Sequence, residues 1–205
     1  FKDDPSLKIA ASHIDSPGLR IKAKPEHFQG SYMKVNTEVY GGAILSTWFD
    51  RPLSIAGRVY LKGTDATSPE MRLVDFSRPL LMIPNLSIHM NRNVNEGIPL
   101  NRQIDLLPVA GVTGSKESNQ HFITDLIAKE LNTDASLLLS YDLCVYNTDR
   151  GCIAGINDDF IMAPRIDNIS SVQACIHGIT NSGRDGGLDL AAFFDHEEVG
   201  SNSNN

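Results

Sequence analysis

The run Leu7-Lys8-Ile9-Ala10-Ala11 is mainly apolar and leads straight into Ser12-His13-Ile14-Asp15, which predicts a short buried strand ending in polar residues. Ser16-Pro17-Gly18 then breaks the chain. From Leu19 to about Val112, apolar and polar positions alternate in short stretches, at 19–22, 32–39 and 58–62, separated by Gly, Pro, Asn and Asp. That texture predicts a compact β domain, a barrel or a sandwich. The period changes over 121–131, where Phe122, Ile123, Leu126, Ile127 and Leu131 fall at helical spacings. Residues 137–145 read as a strand again. Ile169, Val172, Ile176 and Ile179 step by three, four and three, which predicts an amphipathic helix over 168–180, with Pro164 just before it. The last apolar stretch, 188–194, is nearly continuous and runs into Asp195-His196-Glu197-Glu198. It predicts a strand buried on both faces, as in a helix-covered α/β sheet.

Two textures therefore coexist, α/β at both ends and β-rich between them. A β domain inserted into an α/β domain accounts for both.

Charge and composition narrow the function classes. Lys and Arg number 18 against 25 Asp and Glu, a net charge of −7 over 205 residues. No basic cluster is present, so nucleic acid is not the expected partner. The uninterrupted apolar runs are short, such as those at 80–83 and 137–139, and fall far short of the ~20 residues a membrane-spanning helix needs, so no membrane is expected either. Cys144, Cys152 and Cys175 form neither a CxxC pair nor an even disulfide framework, which fits reduced thiols in a cytoplasmic protein. The opening Phe1-Lys2-Asp3-Asp4-Pro5 has no leader pattern and no initiating Met, so the true start is expected to be missing.

Three polar clusters follow an apolar strand or precede a helix: His13-Ile14-Asp15, Arg165-Ile166-Asp167-Asn168 and Asp195-His196-Glu197-Glu198. The carboxyl ends of strands form the ligand crevice in open α/β sheets. Carboxylates gathered there repel one another unless a cation or a proton intervenes. A dinuclear metal site explains the collection, since carboxylate and imidazole suit zinc, with cobalt or manganese as alternatives. In such sites one carboxylate bridges two ions ~3.5–4 Å apart. His13 is a candidate terminal ligand, and Asp15 a hydrogen-bond partner for its second ring nitrogen. Asp167 suits a bridge, though its place before a helix equally suits a cap. Of the adjacent Glu197 and Glu198, one can bind metal while the other takes a proton from water. An exposed charged turn is the competing reading. His27, His121, His177 and His196 read as surface or structural residues, and His89 as a satisfied polar contact. No phosphate-binding glycine loop and no GxSxG elbow occurs, which leaves a metal-dependent hydrolase in front.

Four blocks carry a family resemblance. They are Ala11-Ser12-His13-Ile14-Asp15-Ser16-Pro17; Glu38-Val39-Tyr40-Gly41-Gly42 with Trp48-Phe49-Asp50-Arg51 and Ala56-Gly57-Arg58; Ala163-Pro164-Arg165-Ile166-Asp167-Asn168; and Phe194-Asp195-His196-Glu197-Glu198-Val199-Gly200-Ser201. In this order they resemble the aspartyl aminopeptidase family of zinc aminopeptidases, which includes the vacuolar aminopeptidase I type. The resemblance implies an α/β catalytic domain with a helix-flanked mixed sheet, zinc-peptidase-like, from residues 1–18 and 158–205. A β-rich dimerisation domain over 19–157 would interrupt it, and dimers would build a tetrahedral dodecamer. It implies two divalent ions, zinc foremost. His13 would be a ligand of one ion, Asp167 the bridge, Glu198 a ligand of the other, Glu197 the general base and Asp15 the partner of His13. The stretch Ile83-Pro84-Asn85-Leu86-Ser87-Ile88-His89 resembles the one whose histidine reaches a neighbouring subunit's active site, which makes His89 a substrate or transition-state contact. The activity implied is removal of N-terminal, acidic (Asp or Glu) residues from peptides. A broad aminopeptidase, a deacylase or a non-catalytic assembly subunit are the alternatives. Family members are longer and carry a further aspartate and histidine ligand beyond the Glu-Glu block. The chain thus reads as a fragment, with two protein ligands per ion, that alone binds metal weakly.

Overall fold

The computed structural model describes residues 6–65, 67–113, 120–181, 183 and 186–200. The opening pentapeptide and Ser201 of the last motif lie outside them. The strands are β1 (Leu7–His13), β2 (Gly18–Gln29), β3 (Tyr32–Tyr40), β4 (Leu53–Leu61), β5 (Glu70–Asp75), β6 (Val109–Val112), β7 (Leu138–Asn147), β8 (Cys152–Ala154), β9 (Phe160–Met162) and β10 (Leu188–Phe194). The helices are α1 (Phe122–Glu130) and α2 (Ile166–Asn181). The chain divides into two compact units, one from Phe1–Pro17 with Arg150–Asn205, the other Gly18–Asp149. The fold is mixed α/β, and its main sheet is antiparallel.

In the Gly18–Asp149 unit, six strands pair antiparallel in the order β5-β4-β7-β2-β3-β6. The period-2 pattern sets which face is buried. Leu53, Ile55, Val59 and Leu61 of β4 all point inward, and Leu19, Val145 and Ile55 form one buried row across β2, β7 and β4. Each such side chain contributes ~1.5–3 kcal/mol by leaving water. Ile123 and Ile127 of α1 close this core, and Phe122 meets Phe28 edge to face with centroids 6.3 Å apart.

β2 is irregular. Its pairing with β3 shifts between Ile21 and Glu26, around Pro25, which has no N–H for the ladder. The freed carbonyls find side-chain donors: Tyr141 Oη donates to Lys22 O at 2.9 Å, and Asn36 Nδ2 to Lys24 O at 3.2 Å. β5, β6, β8 and β9 go beyond the strands named from the sequence. In β5 only Val74 is buried, while the alternating Met71 and Leu73 are exposed.

In the other unit, β1 and β10 run parallel, in register from Leu7 beside Leu188 to His13 beside Phe194. α2 packs against both strands, and β8 and β9 form a short hairpin. The two-sided burial expected for β10 is not found. Leu188, Leu190 and Phe194 are substantially exposed, because the described residues give this pair one helix and no further strand. The helix itself starts irregularly. Asp167 is extended, with φ −81° and ψ 110°, and the Asp167–Asn168 peptide is cis. The three cysteines remain free thiols.

Candidate metal centre

Parallel pairing brings two distant parts of the chain to one end of the β1–β10 pair. His13 closes β1, and Ile14 N donates to Phe194 O at 2.9 Å, carrying the ladder one step past it. Beyond Phe194 the backbone turns sharply. His196 takes a left-handed conformation, φ 65°, and a 3-10 turn follows at Glu197–Val199, closed by Gly200 N donating to Glu197 O at 3.0 Å. A helical turn starts with N–H groups that have no partner within it. Here Asp15 supplies one: Oδ1 accepts from Glu197 N at 3.3 Å and Oδ2 from Glu198 N at 3.0 Å. The carboxylate that does this is only 6% exposed.

Asp15 also orients His13. Nδ1 lies 3.1 Å from the Asp15 carbonyl oxygen and 3.3 Å from Oδ1. A carbonyl can only accept, so Nδ1 carries the hydrogen and Nε2 keeps its lone pair when the ring is neutral. The sequence-based pairing put the imidazole on the Asp15 carboxylate. The structure places the backbone carbonyl nearer, with the carboxylate turned toward the Glu197–Val199 turn.

Nε2 faces acid groups. It is 3.3 Å from Asp167 Oδ1 and 3.8 Å from Glu197 Oε2. The ligand atoms of His13, Glu197 and Glu198 all lie within 4.8 Å of one another. Asp167 enters from the irregular start of α2, where Ser16 Oγ donates to its carbonyl at 3.4 Å. Ser16 served only as punctuation in the sequence, and nothing in its spacing marks this contact. The Asp167 and Glu197 side chains are 85% and 59% exposed, against 13% for His13, so the group is open on its acidic side.

The electrostatics follow from this crowding. Burial works against a proton on His13, but the Asp15 carbonyl and the charges of Glu197, Asp15 and Asp167 outweigh it and raise the imidazole above its ordinary value. Glu198 is raised as well, first by burial and then by the repulsion of Glu197, Asp15 and Asp167, with His13 opposing. A field that draws a proton to this spot draws a divalent cation equally. Ligands arranged tetrahedrally at ~2.0–2.2 Å from zinc stand ~3.3–3.6 Å apart. The His13–Asp167 spacing of 3.3 Å falls in that range and the His13–Glu197 spacing of 3.8 Å just above it. One imidazole with several carboxylates is a donor set that zinc accepts, so these residues fit the group.

Of the residues singled out in the sequence, His13, Asp15, Asp167, Glu197 and Glu198 come together. His89 belongs to the other unit, on an exposed turn. His196 lies beside Asp195 instead, its half-exposed ring Nε2 3.7 Å from Asp195 Oδ2 and its backbone N–H donating to Asp195 Oδ1 at 2.9 Å.

Known proteins resemble the whole chain. The profile of the family described as aminopeptidase I zinc metalloprotease (M18) matches residues 1–205. A protein of Clostridium acetobutylicum named "Probable M18 family aminopeptidase 2" is 48% identical over 196 residues, 95% of this chain and 45% of its own length. The "Aspartyl aminopeptidase 4" of Saccharomyces cerevisiae is 37% identical over 224 residues, 96% of this chain and 46% of its own. The chain spans about half the length of the curated relatives it matches. Among solved structures, one described as the Ape4 and Nbr1 complex superposes with a TM-score of 0.90 at 30% identity, covering 99% of this chain and 43% of that one. The dodecamer of mApe1 from S. cerevisiae shares the fold, with a TM-score of 0.73 at 22% identity over 96% of this chain and 45% of that one. With the site geometry and a match along its full length, the chain belongs to the aminopeptidase I zinc metalloprotease family, M18.

Proposed function

We propose that the whole protein is a dinuclear metalloaminopeptidase that removes N-terminal, acidic residues from peptides. The observation that carries this reading is the meeting of His13 Nε2 with the Asp167 and Glu197 carboxylates, 3.3 and 3.8 Å away, on an end of the β1–β10 pair that Asp15 organises. His13, Asp167 as the bridge, and Glu198 would hold two divalent ions, zinc foremost, with cobalt or manganese as alternatives. When bound, such ions polarise the scissile carbonyl and make water more acidic. Glu197, the more open of the two glutamates, accepts the proton of the attacking water and returns it to the leaving amine. Asp15 keeps His13 in the Nδ1–H tautomer and keeps the glutamate turn in place. His89 meets the substrate in a neighbouring subunit's site.

Substrate preference rests on the sequence resemblance and on the name of the S. cerevisiae relative. Self-association into a dodecamer is supported by the shared fold with the mApe1 dodecamer; dimers formed through the β-rich part rest on the sequence resemblance. A cytoplasmic location is supported by three free thiols; no helix among the described residues is long and apolar enough to cross a membrane. The test is to assay the whole, metal-loaded protein on peptides beginning with Asp, Glu or Leu and on N-acylated amino acids. Faster release of Asp and Glu supports the reading, and hydrolysis confined to acylated amino acids overturns it.

A further inference from the structure

The segment carrying His89 leaves the core at Ile83. Leu81 and Ile83 are buried, and Leu53 N and Leu81 N exchange hydrogen bonds with each other's carbonyls at 2.9 and 3.0 Å. From Pro84 to Met90 every residue is exposed, so apolar packing does not hold this stretch in place. Asp50 does. It adopts a left-handed backbone, φ 56°, which aspartate tolerates better than most residues. Its N–H donates to Ile83 O at 2.9 Å. Its carboxylate then accepts twice from a single residue: Oδ1 from Asn85 N at 2.9 Å and Oδ2 from Asn85 Nδ2 at 2.8 Å. These two donors outweigh burial and hold the Asp50 carboxyl below the usual range, so it is charged whenever the protein works near neutral pH. Arg51 next door turns to Asp149 instead, at 3.2 Å. Two residues past the clamp, Ser87 O accepts Met90 N at 2.9 Å, closing the turn that holds His89.

We propose that Asp50 is a positioning residue for catalysis, fixing through Asn85 the turn that presents His89 to substrate. This rests on the role given to His89 above. A group that must meet a transition state loses rate steeply when its support loosens, since ~1 Å of misplacement can cost ~100-fold.

The test uses the whole, metal-loaded protein. His89→Ala sets the scale of the loss. Asp50→Ala is expected to lower kcat about tenfold with KM and metal content little changed, and to add nothing once His89 is alanine. The exchanged pair Asp50→Asn with Asn85→Asp keeps complementary donors and acceptors and is expected to recover most of the turnover that either single change removes. If Asp50→Ala fails to fold, Asn85→Ala removes only the side-chain half of the clamp and is expected to show the same pattern more weakly. Full kcat in His89→Ala overturns the role of His89, and with it this proposal. A loss in His89→Ala with none in Asp50→Ala and Asn85→Ala, or losses that multiply, overturns the clamp alone.

Discussion

Asp15 Oδ2 lies 3.0 Å from the backbone nitrogen of Glu198, a residue 183 positions further along the chain. The same aspartate offers its carbonyl to His13 Nδ1 at 3.1 Å. A single residue thereby sets the tautomer of one candidate ligand and the backbone position of two more groups, so its removal disturbs both sides of the site together.

Replacing Asp15 with alanine should therefore weaken metal binding more than an ordinary supporting contact would. Partners of metal ligands typically contribute 10–100-fold in affinity or activity, and Asp15→Ala is expected at or above the upper end of that range, about 100-fold. Asp15→Asn keeps one acceptor oxygen but turns an amide toward the second N–H, and should fall between. Metal analysis after dialysis, alongside kcat/KM of the whole protein, checks both.

Glu197→Gln separates binding from proton transfer. The amide keeps the size of the side chain and leaves His13, Asp167 and Glu198 untouched, so bound metal should stay near the wild-type level. A general base contributes ~10²–10⁴-fold, and kcat should drop by about that factor. Retention of most of the turnover would remove Glu197 from the role.

Gly57 sits in β4 opposite Leu143, with φ 153°. A Cβ there would collide with the backbone carbonyl oxygen of Asp142, which cannot swing aside as a side chain can. Gly57→Ala should destabilise the Gly18–Asp149 unit by about 1–3 kcal/mol or more. Urea unfolding of the variant and the parent gives the difference directly.

Tyr141 supplies a pH signature. Burial, and then the charge of Glu26, push its phenol up to about 12, and Tyr141 Oη donates to Lys22 O at 2.9 Å. The unfolded phenol titrates near ~10, so between these values the native state holds the proton more tightly. Its stabilising effect is complete below pH ~10 and is lost as the pH rises toward about 12. Tyr141→Phe should be less stable than the parent by ~1 kcal/mol at pH ~8. That gap should close as the pH rises above ~10 and reverse before about 12, where the parent must hold a proton that the unfolded chain releases.

Much of the site could be read from the sequence because each of its parts has a local signature. The two-residue step from His13 to Asp15 and the apolar strand feeding Glu197 and Glu198 are patterns within a few positions. The tie between Asp15 and the glutamate turn has no such signature, since it exists only once β1 and β10 lie parallel in register. The entry of Asp167 was half legible. Its position just before the helix expected over 168–180 suits a cap, whereas the backbone there is extended and its Oδ1 reaches His13. In the fold, strong alternation marks β3 and the second half of β4, whereas in β5 the alternating Met71 and Leu73 face solvent and the one buried residue, Val74, lies on the opposite face, so the pattern does not report the burial. The apolar character of β10 correctly marked a strand, but its neighbours on either side are not set by its own composition.

The parallel register of β1 and β10 also works as a vernier. Sliding β10 one residue along β1 would shift the glutamate turn by ~3.3 Å and turn every side chain of the strand to the opposite face. Asp15 would then miss both N–H groups, and Nε2 of His13 would lose the Glu197 carboxylate, keeping only Asp167 from α2. Between the two strands in sequence lie all the residues of the Gly18–Asp149 unit, which must be synthesised before the match can be made. A bound ion would thus be a proofreading signal: only a chain that has threaded its late strand beside its early one, in the right notch, could retain it.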